Sequence, residues 1–163
     1  MPARGAPVIR DSVARRVSAA RKRRVLVATD GSRGSDAALR FAVDLAGCSG
    51  IALTVITVAG EKRGPGAQEA LKRGERLLAA AARALRRSGV PADLHVVGAR
   101  PHESIPEAIR RESDRLKADL VVVGSEGRDT LREWVVGGTA LRLIYLATRP
   151  VTVVRPPRVR RRV

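Results

Sequence analysis

A chain of 163 residues, 44% of them hydrophobic, is long enough for one domain with a full core and too short for two ordinary ones. Aromatic residues are only 2%, so that core has to be built from Val, Leu, Ile and Ala, which suits buried parallel strands. A single cysteine, Cys48, excludes an internal disulfide and a metal–thiolate cluster, and no apolar run approaches the roughly 20 residues of a membrane span.

The formal charge of +16 is unevenly placed. Residues 1–24 carry eight basic side chains and one acidic, and residues 155–163 carry five basic and none acidic, so twelve of the sixteen excess charges lie at the two ends. Both ends are too poor in apolar residues for a core of their own, and they read as mobile basic arms. The first arm has arginine and serine but no apolar h-region, so it is not a secretory signal, and the expected location is the cytoplasm. Cys48 reads as a small buried or half-buried thiol.

Between the arms, apolar runs alternate with helical stripes. VLVATD (25–30) is a strand ending on Asp30; GSRGS then leads into DAALRFAVDLAG, where Ala38, Phe41, Ala42 and Leu45 recur at helical spacing before Gly47 ends the helix. IALTVITV (51–58) is a second strand, dense in β-branched residues. From about Glu69 to Arg87, Leu71, Leu78, Ala82 and Leu85 mark one face of a second helix, stopped by Gly89 and Pro91. ADLHVVGA (92–99) is the third strand, Ile105, Ile109 and Leu116 stripe the third helix, and DLVVVGS (119–125) is the fourth strand. TALRLIYLAT makes a short fourth helix with Thr139 as its N-cap, and PVTVVR (150–155) is the last strand.

Five strands alternating with four helices imply right-handed crossovers and a single doubly wound, mostly parallel Rossmann-like sheet covered on both faces. In such a sheet, ligands bind beyond the carboxyl ends of the strands, where the winding reverses. Two strand ends carry polar or glycine-rich loops: Asp30-Gly31-Ser32 after the first, and Gly124 to Gly127 after the fourth. If those strands are neighbours, both loops border one crevice. Glycine admits close backbone approach, and the helix that opens at Gly137-Gly138-Thr139 offers unpaired N–H groups and partial positive charge. Phosphate binding and tight turns fit that spacing equally well. The loop is neither a Walker A loop nor the GxGxxG fingerprint.

Taken together, VLVATDGS, DLVVVGSEGR, the G-x2-G-x9-G spacing of Gly124, Gly127 and Gly137, and the closing RPVTVVR resemble the universal stress protein family. The resemblance covers residues 23–156 and leaves out the arms at 1–22 and 157–163. It implies an adenine nucleotide alpha hydrolase-like sheet of strand order 3-2-1-4-5, with the first and fourth strands side by side. It also implies an adenine nucleotide, ATP with or without Mg²⁺, as ligand. Ala28, Thr29 and Asp30 match the adenosine pocket, with Asp30 accepting hydrogen bonds from ribose or adenine and Val58 against the base. Gly124, Gly127 and Gly137 would bring backbone amides to the phosphates, with Val123 beside them and Arg128 adding charge.

There is one departure: nucleotide-binding members follow the last glycine with Ser or Thr, and here that position is Gly138. Either Thr139, one residue later, replaces the missing hydroxyl, or the site is weakened. The family also implies a homodimer through the last strand, Val151 to Arg155, which would be an edge strand stopped by Pro156 and Pro157.

Groups for catalysis are sparse. His95 alternates within a strand and His102 lies in a loop, neither with a ligand partner at i+3 or i+4, and N-capping explains Ser32. Glu126 beside phosphates points to Mg²⁺ or solvent. At most slow ATP hydrolysis is compatible with these residues. The expected function is that of a nucleotide-binding regulatory protein in stress response, acting by nucleotide-dependent conformation and partner binding. The competing readings are a dimeric interaction module without nucleotide and a non-specific polyanion binder using its arms. The scattered Phe41, Trp134 and Tyr145 make no base-stacking platform.

Overall fold

The computed structural model describes residues 22–60, 65–126 and 136–157, and the side chains of Cys48, Ser49 and Pro65 fall outside that description. Most of both arms, Gly127, Arg128 and Trp134 also lie outside the described residues. In chain order the elements are β1 (Arg24–Ala28), α1 (Arg33–Ser49), β2 (Ala52–Ala59), α2 (Pro65–Ser88), β3 (Ala92–Gly98), α3 (Ile105–Arg115), β4 (Leu120–Gly124), α4 (Gly138–Leu146) and β5 (Val151–Val154). The strands form one sheet in the order β3-β2-β1-β4-β5, and every neighbouring pair is parallel. No helix among the described residues is long and apolar enough to cross a membrane.

Residues 25–28 of β1 and 120–123 of β4, at the centre of the sheet, are continuous apolar runs because both faces are covered there. Alternation sends Val25, Val27 and Val122 to the face covered by α1 and α2, where they meet Ala38, Ala42, Leu78 and Leu85. It sends Leu26, Val121 and Val123 to the other face, against Ile109 of α3 and Leu143 of α4. The winding runs outward from β1 through β2 to β3, then returns to β4 on the other flank of β1. The reversal between β1 and β4 follows from that order, as expected.

Several local expectations need correction. Phe41, expected on the core face of α1, is 40% exposed. That helix uses small residues, Ala38, Ala42 and Ala46, to lie close to the sheet, and Phe41 sits one residue, or about 100°, round from Ala42. Leu71 and Ile105 are likewise exposed, at 46% and 44%. The buried stripe of α2 begins at Gly74, whose missing Cβ would lie 2.9 Å from Val96 Cγ1, so the contact with the sheet starts a turn after Leu71. Gly47 does not end α1; the helix continues to Ser49 and closes on Gly50 in the left-handed conformation, φ 59°. Thr139 is not an N-cap: Gly137, at φ −58° and ψ 147°, takes the cap conformation, and α4 starts at Gly138.

Candidate functional site at the carboxyl ends of β1 and β4

The chain leaves β1 through a tightly bonded turn. The Thr29 amide donates to the Ile56 carbonyl at 2.8 Å and extends the β1–β2 ladder by one bond. Ser32 N–H donates to Asp30 Oδ1 at 2.9 Å, an Asx turn that fixes the carboxylate just ahead of α1. Between them Gly31 takes φ 77°, a conformation that favours glycine. Ser32 is the N-cap of α1, its hydroxyl accepting from the Ser35 amide at 3.1 Å, as the sequence predicts. The Thr29 hydroxyl donates to Ser35 Oγ at 3.1 Å, and the residue is only 8% exposed. Its side chain is thus engaged within the protein, and any ligand contact at Thr29 falls to its backbone.

The turn after β1 is locked to the turn after β4. Ser32 Oγ donates to the Glu126 carbonyl at 2.9 Å, across ninety-four residues of sequence. Below that bond the backbones interlock: a Cβ on Gly124 would stand 2.3 Å from the Gly34 carbonyl carbon, and one on Gly34 would stand 2.4 Å from the Glu126 oxygen. The close approach that Gly124 permits is therefore to the first turn of α1. Gly34 is a site-building residue that the hydrophobic pattern does not reveal; its signal is a glycine in the first turn of a helix, where its backbone freedom carries a penalty.

Beyond β4, the Ser125 amide donates to the Val154 carbonyl at 2.8 Å, and the Ser125 carbonyl accepts from the Gly137 amide at 2.7 Å. Those two bonds place the start of α4 beside the end of β4. The Gly137 amide is accordingly occupied by protein, and the amides next in line are those of Gly138, Thr139 and Ala140 in the first turn of α4. An α-helix leaves its first amides without intrahelical partners, and a glycine N-cap has no side chain to satisfy them. Gly138 and Thr139 are both exposed. A Cβ on Gly138 would meet nothing within 4 Å. This is a helix terminus suited to an anion.

An apolar wall borders these polar groups. Ala28, Val58 and Val136 are partly buried and pack with the buried Val123 on the face of the sheet covered by α3 and α4. The structure thus brings Ala28, Thr29, Asp30, Val58, Val123, Gly124, Gly137, Gly138 and Thr139 to one pole of the fold. A cleft of about 360 Å³ lies at the opposite, amino-terminal pole, between Arg24, Ala52, Asp93 and Leu116, and none of those nine residues lines it.

The start of α3, also at the carboxyl pole, is braced by protein carboxylates. Ser104 is its N-cap, and the Ser104 amide donates to Glu107 Oε2 at 2.7 Å, closing a capping box that sequence reasoning missed. Ahead of it Glu103 accepts from Arg111 Nε at 2.8 Å and from the Arg100 amide at 2.8 Å, in a turn where His102 adopts φ 61°. The Arg111 guanidinium beside Glu103 holds its carboxyl at about 2, far below the ordinary 4.5. Hydrogen bonds from Ser104 likewise lower Glu107. Neither carboxylate is left unpartnered for chemistry. His95 is exposed on the edge strand β3, and among the described residues no group of three or more His, Cys, Asp or Glu could hold a metal ion.

The family model described as the universal stress protein family matches residues 22–155. No curated protein sequence matches significantly. Among solved structures, one from the universal stress protein family of Burkholderia pseudomallei is 26% identical with a TM-score of 0.66, over 82% of this chain and 96% of that one. The universal stress protein from Archaeoglobus fulgidus in complex with dAMP is 22% identical, TM-score 0.64, over 82% and 98%. A universal stress protein family protein from Arabidopsis thaliana with AMP bound is 19% identical, TM-score 0.58, over 83% and 92%.

Proposed function

Because the chain belongs to the universal stress protein family, we propose that it binds an adenine nucleotide, ATP in particular, between the ends of β1 and β4 and acts as a nucleotide-dependent regulatory protein in stress response. The observation that carries this reading is the start of α4, a glycine-capped helix end placed beside β4 by the Gly137–Ser125 bond. The donor set fits the ligand class. The Gly138 and Thr139 amides suit phosphate oxygens, the partly buried Ala28, Val58 and Val136 suit the flat apolar base, and Asp30 suits ribose hydroxyls. Gly127 and Arg128, outside the described residues, would complete the phosphate side. The Archaeoglobus and Arabidopsis relatives, with dAMP and AMP, support the same ligand class.

Regulation in this reading is a population shift. Nucleotide ties the segment between β4 and α4 to a frame already fixed by Ser32 and Gly34, and the altered surface is what a partner reads. No hydrolytic step belongs to the proposal. The cytoplasm is its setting, and residues 1–22 and 157–163 are appendages to the nucleotide-binding domain. A homodimer through Val151 to Arg155 is part of the same reading. It is supported by the position of β5 at the sheet edge and by the exposed Leu141, Ile144 and Tyr145 on neighbouring α4.

The test is calorimetric titration of the full chain with ATP, ADP and AMP in Mg²⁺, after release of any co-purified nucleotide. Dissociation constants in the micromolar range are expected, and Gly127→Val should abolish binding with the circular dichroism spectrum unchanged. Absence of binding at millimolar nucleotide, or undiminished affinity in the variant, would sink the site assignment. Light scattering on the same samples reads the dimer, and a monomer at micromolar protein would remove that part.

A further inference from the structure

The outward face of α2 carries a line of cations that the nucleotide reading does not use. At 3.6 residues per turn, Lys72, Arg76, Arg83, Arg86 and Arg87 fall within roughly 100° of one another around the helix axis. All five are exposed. The opposite face, Gly74, Leu78, Ala81 and Leu85, is buried against the sheet, which fixes the cationic face outward. Small residues, Ala79, Ala80 and Ala84, stand among the cations. The last acid in the helix is Glu75. Glu69 approaches Arg76 at 3.8 Å, but both side chains are mostly exposed, so the pair is weak and screened.

A charge run on a helix is commonly just a solvated face, and two features set this one apart. Residues 25–154 carry nineteen basic and fifteen acidic side chains, and α2 holds six of the former and two of the latter, so outside this helix the body is electrically balanced. The helix dipole, moreover, accounts for Arg86 and Arg87 in the last turn but not for Lys72, Arg76 or Arg83.

We propose that this face of α2 is a docking surface for double-helical nucleic acid, contacted through its phosphates without reading of sequence. From Lys72 to Arg87 the line extends about 22 Å at 1.5 Å per residue, a length over which a duplex presents roughly 13 phosphate charges. An anionic membrane is the poorer fit, because the helix has its apolar face committed to the sheet, and its exposed Leu71 lies about 100° round from Lys72. A single strand is also the poorer fit, because no aromatic side chain stands on α2 to stack bases. Phosphate contacts position a protein without specifying a sequence.

The test uses the full chain, arms included, and fluorescence anisotropy with a labelled duplex of about 20 base pairs, roughly three times the length of the line, across a sodium chloride series. The variant Lys72→Gln/Arg83→Gln/Arg86→Gln/Arg87→Gln is compared with Arg40→Gln/Arg100→Gln/Lys117→Gln/Arg142→Gln, which removes equal charge from exposed sites elsewhere. The first should weaken binding at least tenfold and flatten the slope of log K against log salt by about 3 to 4; the second should change the slope by less than about 1. Equal losses in both variants, an unchanged slope in the first, or no binding by the parent protein would overturn the proposal. So would tighter binding of a single strand of the same length, or α2-dependent capture by phosphatidylserine vesicles in place of the duplex.

Discussion

Helices α3 and α4 both start at the carboxyl ends of the strands, and they start in opposite ways. The chain turns into α3 through a serine cap, a glutamate that answers it, a proline in the first turn and the Glu103–Arg111 ion pair as a brace. It turns into α4 through two glycines with no side-chain cap. Glycine at the N-cap gives up only about a few tenths of a kcal/mol against serine, so the start of α4 has a small cost that the rest of the fold offsets. The difference teaches where a ligand belongs. A helix end that the protein satisfies itself is architecture, whereas one whose first amides meet no capping side chain among the described residues, beside a rigid crevice, is suited to an anion.

Breaking the frame that holds the crevice beside α4 should have the largest effect. Gly124→Val would set a Cβ within 2.3 Å of the backbone of Gly34, and backbone cannot move aside as a flexible side chain can. A loss of about 3 kcal/mol or more is expected, read as a shift of the denaturation midpoint. A melt within error of the parent protein would mean that α1 and the end of β4 are not interlocked, and that the crevice is not preformed.

Acid should distinguish the two helix starts next, because only that of α3 is built on carboxylates. The pKa of Glu103 falls from 4.5 to about 2 on folding, so its contribution is complete above about pH 4.5 and is lost as pH falls toward 2. Its side chain is 12% exposed, and after screening the loss should be on the order of 1–3 kcal/mol. The lowered pKa values of Glu107 and Glu112 add in the same direction. Denaturant titrations between pH 7 and 2.5 would show this decline, and Glu103→Gln should make it shallower by the share of that one carboxylate. An equally steep decline in that variant would move the cause elsewhere.

How far these features are legible in the sequence depends on whether they are local. The central strands β1 and β4 are legible because burial on both faces demands unbroken apolar runs, and the predicted ends of all five strands fall within two residues of the observed ones. Ser32 is legible as a cap because capping needs only the residues that follow it. The interlock of Gly34 with Gly124 is not, since it joins two segments 90 positions apart whose meeting depends on the order β2-β1-β4. Thr139 misleads for a related reason. Threonine is the better cap by preference, but the bond from Gly137 to the Ser125 carbonyl starts the helix earlier. Leu71, Phe41 and Ile105 satisfy a helical period yet lie outside the buried stripe, because periodicity gives a face without saying how far the sheet extends beneath it.

The smallest effects are the most discriminating, and they come from the two glycines at the start of α4. Gly137 has φ −58° and ψ 147°, a conformation open to any residue, so Gly137→Ser would supply the missing N-cap. It should stabilise the protein by about a few tenths of a kcal/mol and weaken ATP binding, because the serine oxygen would then compete for the amides suited to phosphate. Gly138→Ser acts differently. Its Cβ would enter open space, and a serine there is inside the helix, where its hydroxyl can donate to phosphate and is no N-cap. It should raise stability by about 0.5 kcal/mol through helix propensity and tighten ATP roughly threefold to tenfold, the worth of one net hydrogen bond. Opposite signs on affinity with the same sign on stability cannot come from a general stiffening of α4. If calorimetry gave both variants the same sign on affinity, α4 would be no phosphate site, and its two glycines would need an explanation in packing alone.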